Sequence, residues 1–237
     1  MTVRKIPKEF MDSFSMQGYV EIIDNFHAYT TSTENYYTVE IWKEYLQRAL
    51  RRGPNYYGQV DQWLYKALEI YSIKNQRVLI FGSAKPWYEA ICCVYKCKSC
   101  TVIEYNVPDF DIVSNLSYVH VDDMKDVKDK FDVGFSISTF EHSGLGRYGE
   151  PIDPDADLKA MQQAKTLIKP KGKLFLSVPV SFTFQDTLEW NAMRVYGAFR
   201  LPTLLNGWKV LRMYTRAKRA VKDRYWYQPL FVLENEK

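Results

Sequence analysis

The chain has 237 residues, 46% of them apolar, and 32 basic against 28 acidic side chains leave a net charge of +4. That is enough apolar chain for one large domain, or for a domain with a cap, while the mild charge permits an anionic partner without requiring one. No apolar stretch approaches the ~20 residues that cross a bilayer, and the opening MTVRKIPKEFMDSF lacks the apolar core of a secretory leader.

Residues 1–75 read as a helical extension. Ile41, Trp42, Tyr45, Leu46, Ala49 and Leu50 recur at helical spacing as far as the stop signal Gly53-Pro54. Val60, Trp63, Leu64, Ala67, Leu68 and Tyr71 form a second stripe. Two helices are therefore expected to pack on a sheet and cover its ligand edge. Tyr36, Tyr37, Tyr56 and Tyr57 are the aromatics that can instead contact substrate. From Arg77 onward, strands are expected at 77–82, 101–105, 117–121, 131–137, 172–179, 207–214 and 228–235. Helices are expected at 86–96, 122–128, 155–168 and 187–199. Alternation of this kind predicts an α/β domain over residues 76–237, a doubly wound parallel sheet covered on both faces. The last two strands, joined by a charged connection, can close it as an antiparallel hairpin.

The densest signal lies in Arg77 to Asn106, RVLIFGSAKPWYEAICCVYKCKSCTVIEYN. An apolar run ends in a small-residue turn at Gly82, Ser83 and Ala84, a helix can start at Pro86, and a second run ends on Glu104. This is the layout of a nucleotide-binding βαβ half, with its acid some twenty residues after the glycine. The glycine allows close backbone approach, and a carboxylate there can accept both hydroxyls of a ribose. The 4 cysteines, Cys92, Cys93, Cys97 and Cys100, all fall in this unit. Cys97 and Cys100 have zinc-like C-x-x-C spacing, but no second pair follows, so burial as small apolar groups is the favoured reading and no metal is expected. Thiols without a disulfide pattern fit a reducing compartment, and the cytoplasm is expected.

The chain resembles class I S-adenosylmethionine-dependent methyltransferases, and within them the family catalogued as domain of unknown function 268. The segments that carry the resemblance are FGSAKPWYEA (81–90), TVIEYN (101–106), FDVGFSISTFEHSGLGRYGEPIDPDADLKAM (131–161), LIKPKGKLFLSVPV (167–180), NAMRVYG (191–197), RLPTLLNGW (200–208) and QPLFVL (228–233). The resemblance implies a Rossmann-like seven-stranded sheet with its last strand inserted antiparallel. It also implies S-adenosylmethionine as cofactor and S-adenosylhomocysteine as product. Most class I methyltransferases carry an acid and several glycines in the first turn, where this chain has Gly82 and then Ser83-Ala84-Lys85-Pro86-Trp87.

Ligands of such sheets bind beyond the carboxyl ends of the strands, where the strand order switches. Gly82 and Ser83 are expected to border the methionine end of the cofactor and Glu104 to take the ribose, with Tyr105 beside adenine. Trp87 either walls the methionine arm or anchors helix to sheet. Asp122 and Asp123 either meet the adenine amino group or cap the helix after them. Ser136 and Ser138 end the fourth strand, where the reactive methyl should project. Glu141 and His142 open a loop containing Gly144, Gly146 and Gly149, expected to be mobile and to serve as a lid. His142 is the expected base, with Glu141 as its orienter or as the second candidate, unless His142 only braces the loop. Arg147, Tyr148, Asp153 and Asp155, with Asn191, Arg194 and Tyr196 on the later helix, are candidates for a polar acceptor. The two aspartates can instead start their helix.

The leading expectation is methyl transfer to a hydroxyl of a small-molecule or glycan acceptor, a sugar or a nucleotide sugar. The carbohydrate part rests on residue types and on resemblance to enzymes of glycan modification, which leaves room for a glycosyltransferase partner or fused domain. A nucleic-acid methyltransferase using the basic segment 212–224 is second, and the SISTFEH end of the fourth strand argues against it. A nicotinamide oxidoreductase and a non-catalytic binding module remain as alternatives.

Overall fold

The computed structural model describes residues 3–26, 37–110, 113–127, 130–216 and 225–237. In chain order it contains α1 (Met11–Ser15), β1 (Glu21–Ile23), α2 (Val39–Leu50), α3 (Gln59–Ile70), β2 (Arg77–Phe81) and α4 (Trp87–Val94). There follow β3 (Ser99–Glu104), β4 (Leu116–His120), β5 (Phe131–Ile137), α5 (Ala156–Leu167), β6 (Ile168–Ser177) and β7 (Val180–Ser181). The chain ends with β8 (Thr187–Glu189), β9 (Met193–Val195), α6 (Arg200–Leu204), β10 (Trp208–Tyr214), β11 (Trp226–Tyr227) and β12 (Leu230–Asn235).

The strands assemble as a 7-stranded sheet in the order β10-β12-β6-β5-β2-β3-β4. β2 lies parallel to both β3 and β5, whereas β12 is antiparallel to β6 and to β10. The expected inverted strand is thus β12, inserted between β6 and β10. The chain runs outward from β2 through β3 to β4 and then returns to β5. The strand order therefore switches between β2 and β5, whose carboxyl ends carry Gly82-Ser83 and Ser138.

Alternation along each strand feeds two cores. Val78 and Ile80 of β2 join the side covered by α2, α3 and α4, while Leu79 and Phe81 join the side covered by α5 and α6. β12 does the same, with Leu230 and Val232 on the first side and Phe231 and Leu233 on the second. α2 starts at Thr38, whose side chain caps Ile41 N, and buries Trp42, Tyr45 and Ala49. Cys92, Cys97 and Cys100 are buried in the first core as free thiols. Among the described residues no helix is long and apolar enough to cross a membrane.

Two expected helices differ. The stretch 187–199 is an antiparallel pair, β8 and β9, and β8 also pairs in parallel with β1 from the N-terminus. Its apolar residues alternate, and Leu188 and Trp190 enter a third core with Ile6, Phe14, Val20 and Leu145. Asn191 takes φ 60° at the turn, a conformation no helix continues through. The stretch after β4 is a short 3-10 turn, Val121–Asp126, rather than an α-helix.

Candidate functional site

The turn after β2 is held from three directions. Gly82 adopts φ +71°, and a Cβ there would lie 2.5 Å from Thr139 Cγ2, so only glycine lets the loop after β5 approach this closely. Thr139 Oγ1 donates to Phe81 O at 2.8 Å. Ser83 N donates to Glu104 Oε2 at 2.6 Å, which turns the β3 carboxylate toward the turn. The Tyr37 hydroxyl donates to Ser83 O at 2.5 Å and stands 3.4 Å from Glu89 Oε1. Glu89 is fully buried on α4, and burial above all pushes its carboxyl up to about 7. Its Oε2 has no hydrogen-bond partner among the described residues.

Further along this edge Tyr105 is exposed and meets the His120 ring edge-on at 6.4 Å. His120 caps the 3-10 turn, its Nδ1 accepting from Asp122 N at 3.2 Å. The capping role weighed for Asp122 and Asp123 is therefore filled by His120, and both aspartate side chains are exposed. Trp87 is buried edge-on to Tyr45 at 5.5 Å in the core between α4 and α2, the anchoring alternative rather than a wall of the cleft.

The end of β5 carries the second half of the site. Ser136 is buried with an unpartnered Oγ. Ser138 takes φ 55°, an unusual conformation for serine. That geometry lets its hydroxyl donate to Glu141 Oε1 at 2.5 Å. Glu141 is 0% exposed, burial raises its carboxyl to about 7, and its Oε2 has no partner among the described residues. His142 Nδ1 lies 2.5 Å from Ala192 O, which places the ring proton on Nδ1 and the lone pair on Nε2. Burial, with Arg147 and Arg194 nearby, lowers its pKa to about 4, so the imidazole is neutral near pH 7. Nε2 is 3.7 Å from Glu141 Oε1. The group that orients His142 is thus the Ala192 carbonyl, and Glu141 faces the opposite nitrogen.

Around this pair stand several polar side chains. Tyr57, on the connection between α2 and α3, is half-buried against Ser138 and near Glu141 and Tyr148, and burial raises its phenol pKa. Tyr148 meets His142 edge-on at 6.2 Å. Arg147 donates to Ala192 O at 3.3 Å and lies over the Tyr148 ring. Asn191 is buried, reaches Leu145 O at 3.5 Å, and leaves Oδ1 unpartnered. Tyr56 is 83% exposed, and Tyr36 lies outside the described residues.

The glycine-containing loop is braced by hydrogen bonds from both ends. Glu150 accepts from Leu145 N at 3.2 Å, Arg147 N at 3.3 Å and Tyr148 N at 2.8 Å. Arg194 donates to Ser143 O at 2.5 Å, Pro154 O at 3.0 Å and Asp153 O at 3.3 Å. Asp157 receives both Nε (2.9 Å) and Nη2 (2.5 Å) of Arg200 and the Tyr196 hydroxyl at 2.9 Å. Burial raises the Asp157 carboxyl, yet Arg194 and Arg200 outweigh it and hold the pKa below the ordinary value. Arg194 and Tyr196, expected to hold substrate, are committed to this buried cluster on a strand and its exit. Asp153 pairs with Lys159 at 2.6 Å, and Asp155 stands just before α5 without a side-chain capping bond.

Ser138, Glu141, His142, Arg147, Tyr148 and Asn191 are therefore brought together, beside the Gly82-Ser83-Glu104 turn. Sequence reasoning missed Glu89, Glu150 and the Ala192 carbonyl. Glu89 had a signal, since it is the one charged residue in the apolar helix WYEAICCV. Glu150 and Ala192 had none, because their roles run through backbone atoms.

Comparison with known proteins bears on the fold. No curated protein matches the sequence. Among solved structures, the N-methyltransferase NodS from Bradyrhizobium japonicum WM9 is similar at TM-score 0.53 and 17% identity, covering 76% of this chain and 95% of that one. The same protein in complex with S-adenosyl-l-homocysteine gives 0.54 and 18%, covering 86% and 100%. A putative sarcosine dimethylglycine methyltransferase from Galdieria sulphuraria gives 0.53 and 12%, covering 76% and 85%. Identities this low carry the fold alone, which is that of class I methyltransferases. The family model described as "Caenorhabditis protein of unknown function, DUF268" matches residues 75–224, and the chain belongs to that family.

Proposed function

We propose that this protein is an S-adenosylmethionine-dependent methyltransferase acting on a hydroxyl of a small polar acceptor, with a sugar or nucleotide sugar as the substrate class. The observation that carries this reading is the buried carboxyl of Glu141, with one unpartnered oxygen, beside the adenosine-type turn at the strand switch. The residues fit the cofactor. Gly82 keeps the turn low, Glu104 keeps acceptor capacity for a ribose diol beyond its bonds to Ser83 N and Tyr105 N, and Tyr105 and Asp122 flank the outer edge. When bound, the cofactor supplies a methyl group already attached to a good leaving group.

An alcohol acceptor is essentially un-ionised near pH 7, so a positioned base within hydrogen-bond reach is worth ~10²–10⁴ in rate. Glu141 fits this task better than His142. Its carboxyl titrates at about 7, and the Ser138 hydroxyl holds Oε1, leaving Oε2 to take the acceptor proton. His142 is neutral, and its Nε2 lone pair can accept a hydrogen bond from a second acceptor hydroxyl or from protonated Glu141. Asn191, Arg147 and Tyr148 present an amide oxygen, a guanidinium and an aromatic face, which suit a ring with several hydroxyls. The orphan oxygens of Glu141 and Asn191 also favour one second reading, an amine acceptor with N–H donors.

The test is mass spectrometry of purified protein with S-adenosylmethionine and a panel of sugars, nucleotide sugars and small amines. A gain of one methyl on a hydroxyl compound supports the first reading, and a gain only on amines replaces it with the second. Of the basic segment behind the nucleic-acid alternative, Lys218, Arg219, Lys222 and Arg224 lie outside the described residues. That alternative predicts binding that collapses as salt rises.

A further inference from the structure

The 4 cysteines are free thiols that the chemistry above does not use, and most of them gather where α4 ends. The helix closes with two backbone bonds, Cys97 N to Cys92 O at 3.1 Å and Lys96 N to Cys93 O at 3.0 Å. Lys96 takes φ 57° there, the left-handed residue that turns the chain back on the helix it leaves. This closure brings the residue after the turn against the last full turn of the helix, so Cys97 comes to lie beside Cys92. Cys100, on β3, packs in the same core, and the Cys92 thiol is in hydrogen-bond contact with the thiols of both Cys97 and Cys100. Among the described residues no three His, Cys, Asp or Glu side chains are placed to hold a metal ion. Two thiols side by side have another chemistry, the loss of two hydrogens to form a disulfide.

The thiols are not equivalent. Cys92 and Cys100 are at most 1% exposed, whereas Cys97 keeps 7% and stands between the exposed Lys96 and Lys98. A hydrogen bond from Cys92 lowers the Cys97 thiol below its ordinary pKa, while burial pushes Cys92 up and Cys93 up to about 12. Thiolate character, flanking positive charge and a route to solvent thus coincide at Cys97, with a partner thiol behind it. We propose that Cys97 is an oxidation site for hydrogen peroxide and that Cys92 resolves it as an intramolecular disulfide. The Cys97 thiolate attacks one peroxide oxygen, the O–O bond breaks, and the leaving hydroxide takes a proton to become water. The resulting sulfenic acid is attacked by Cys92, which gives up its proton, and the sulfenic oxygen departs as a second water. Peroxide is reduced and the two thiols are oxidised. The new bond closes a ring at the end of α4, inside the βαβ unit that carries the Gly82 turn and Glu104. The inference stands apart from the methyl-donor reading.

The experiment treats the reduced full-length protein with hydrogen peroxide, blocks the remaining thiols with iodoacetamide, and maps tryptic peptides by mass spectrometry. Cleavage after Arg77, Lys96 and Lys98 separates Cys92 and Cys93 from Cys97, and Cys97 from Cys100. The expected product is peptide 97–98 joined to peptide 78–96 with loss of two hydrogens, and fragmentation that puts the bond on Cys92. Cys92→Ser is expected to abolish this link and to leave a sulfenic acid at Cys97 that dimedone traps. Cys93→Ser is expected to keep the link. Oxidation that starts at Cys93, or a bond from Cys97 to Cys100, overturns the proposal. So does a protein whose thiols all stay reduced under peroxide that oxidises free cysteine. Should a variant fail to fold, the wild-type peptide map decides alone.

Discussion

Two sets of buried acids support this site, and they are built on opposite rules. On one side, Asp157 receives Arg200 twice and the Tyr196 hydroxyl, with Arg194 Nε 3.6 Å away. On the other, Glu141 is equally buried and accepts from the Ser138 hydroxyl, but its Oε2, like that of Glu89 by the turn, has no partner among the described residues. A fully paired carboxylate stays ionised and serves architecture. An under-paired one rises toward neutrality, can exchange a proton or take a cation, and destabilises the fold to that extent. The difference separates the groups that hold the site from those that act in it.

Removing the paired acid should have the largest effect. Asp157→Ala leaves two buried guanidiniums uncompensated, and a loss of about 3–5 kcal/mol is expected in denaturant unfolding. An unchanged midpoint would mean that the cluster does not brace the loop. Glu141→Gln should lower turnover by ~10²–10⁴ with little change in S-adenosylhomocysteine affinity. The wild-type pH–rate profile sharpens the choice of base. A base at Glu141 gives a limb rising through about pH 7, whereas His142, neutral above about 4, gives none in that range.

The same carboxyls make a stability prediction of the opposite sign from the usual one. Each has a folded pKa of about 7 against an ordinary 4.5, so its contribution is present in full below about 4.5 and lost as pH rises through about 7. The shift corresponds to about 3 kcal/mol per group. Glu89→Gln, facing Ser83, Tyr37, Tyr118, Glu104, Cys93 and Cys100, should therefore stabilise the protein relative to wild type more at pH 8 than at pH 5. Thermal unfolding at the two pH values reads this difference directly. His142 acts in the other direction, its contribution present above about 6.5 and lost as pH falls through about 4. The smallest expected change is Glu150→Gln, which weakens three loop bonds by about 1–2 kcal/mol and should speed amide exchange at Leu145 and Tyr148. Unaltered exchange would return the loop to the mobile lid that its glycines suggest.

What was legible in the sequence follows the range of the interactions. The βαβ unit could be read because its strand, turn, helix and acid are contiguous, and each carries its own pattern. The β8–β9 pair could not, because the partner that makes Leu188 and Trp190 a strand face is β1, far away in the chain. Residue type misled at Arg194 and Tyr196. Each looks like a ligand group until the fold brings Asp157 to meet it. Glu141 and His142 are adjacent in the chain, but which of them makes the better base depends on burial and on a backbone carbonyl, neither of which a residue pattern records.

The account turns on two under-paired buried acids, Glu89 and Glu141, near the turn after β2. Titrating the wild-type protein with S-adenosylhomocysteine near pH 7, in buffers of different ionisation enthalpy, tests it most directly. One-to-one saturation with net release of protons is predicted, because the ligand's charge draws the buried carboxyls into their ionised form. Failure to saturate, or saturation without proton release, contradicts it.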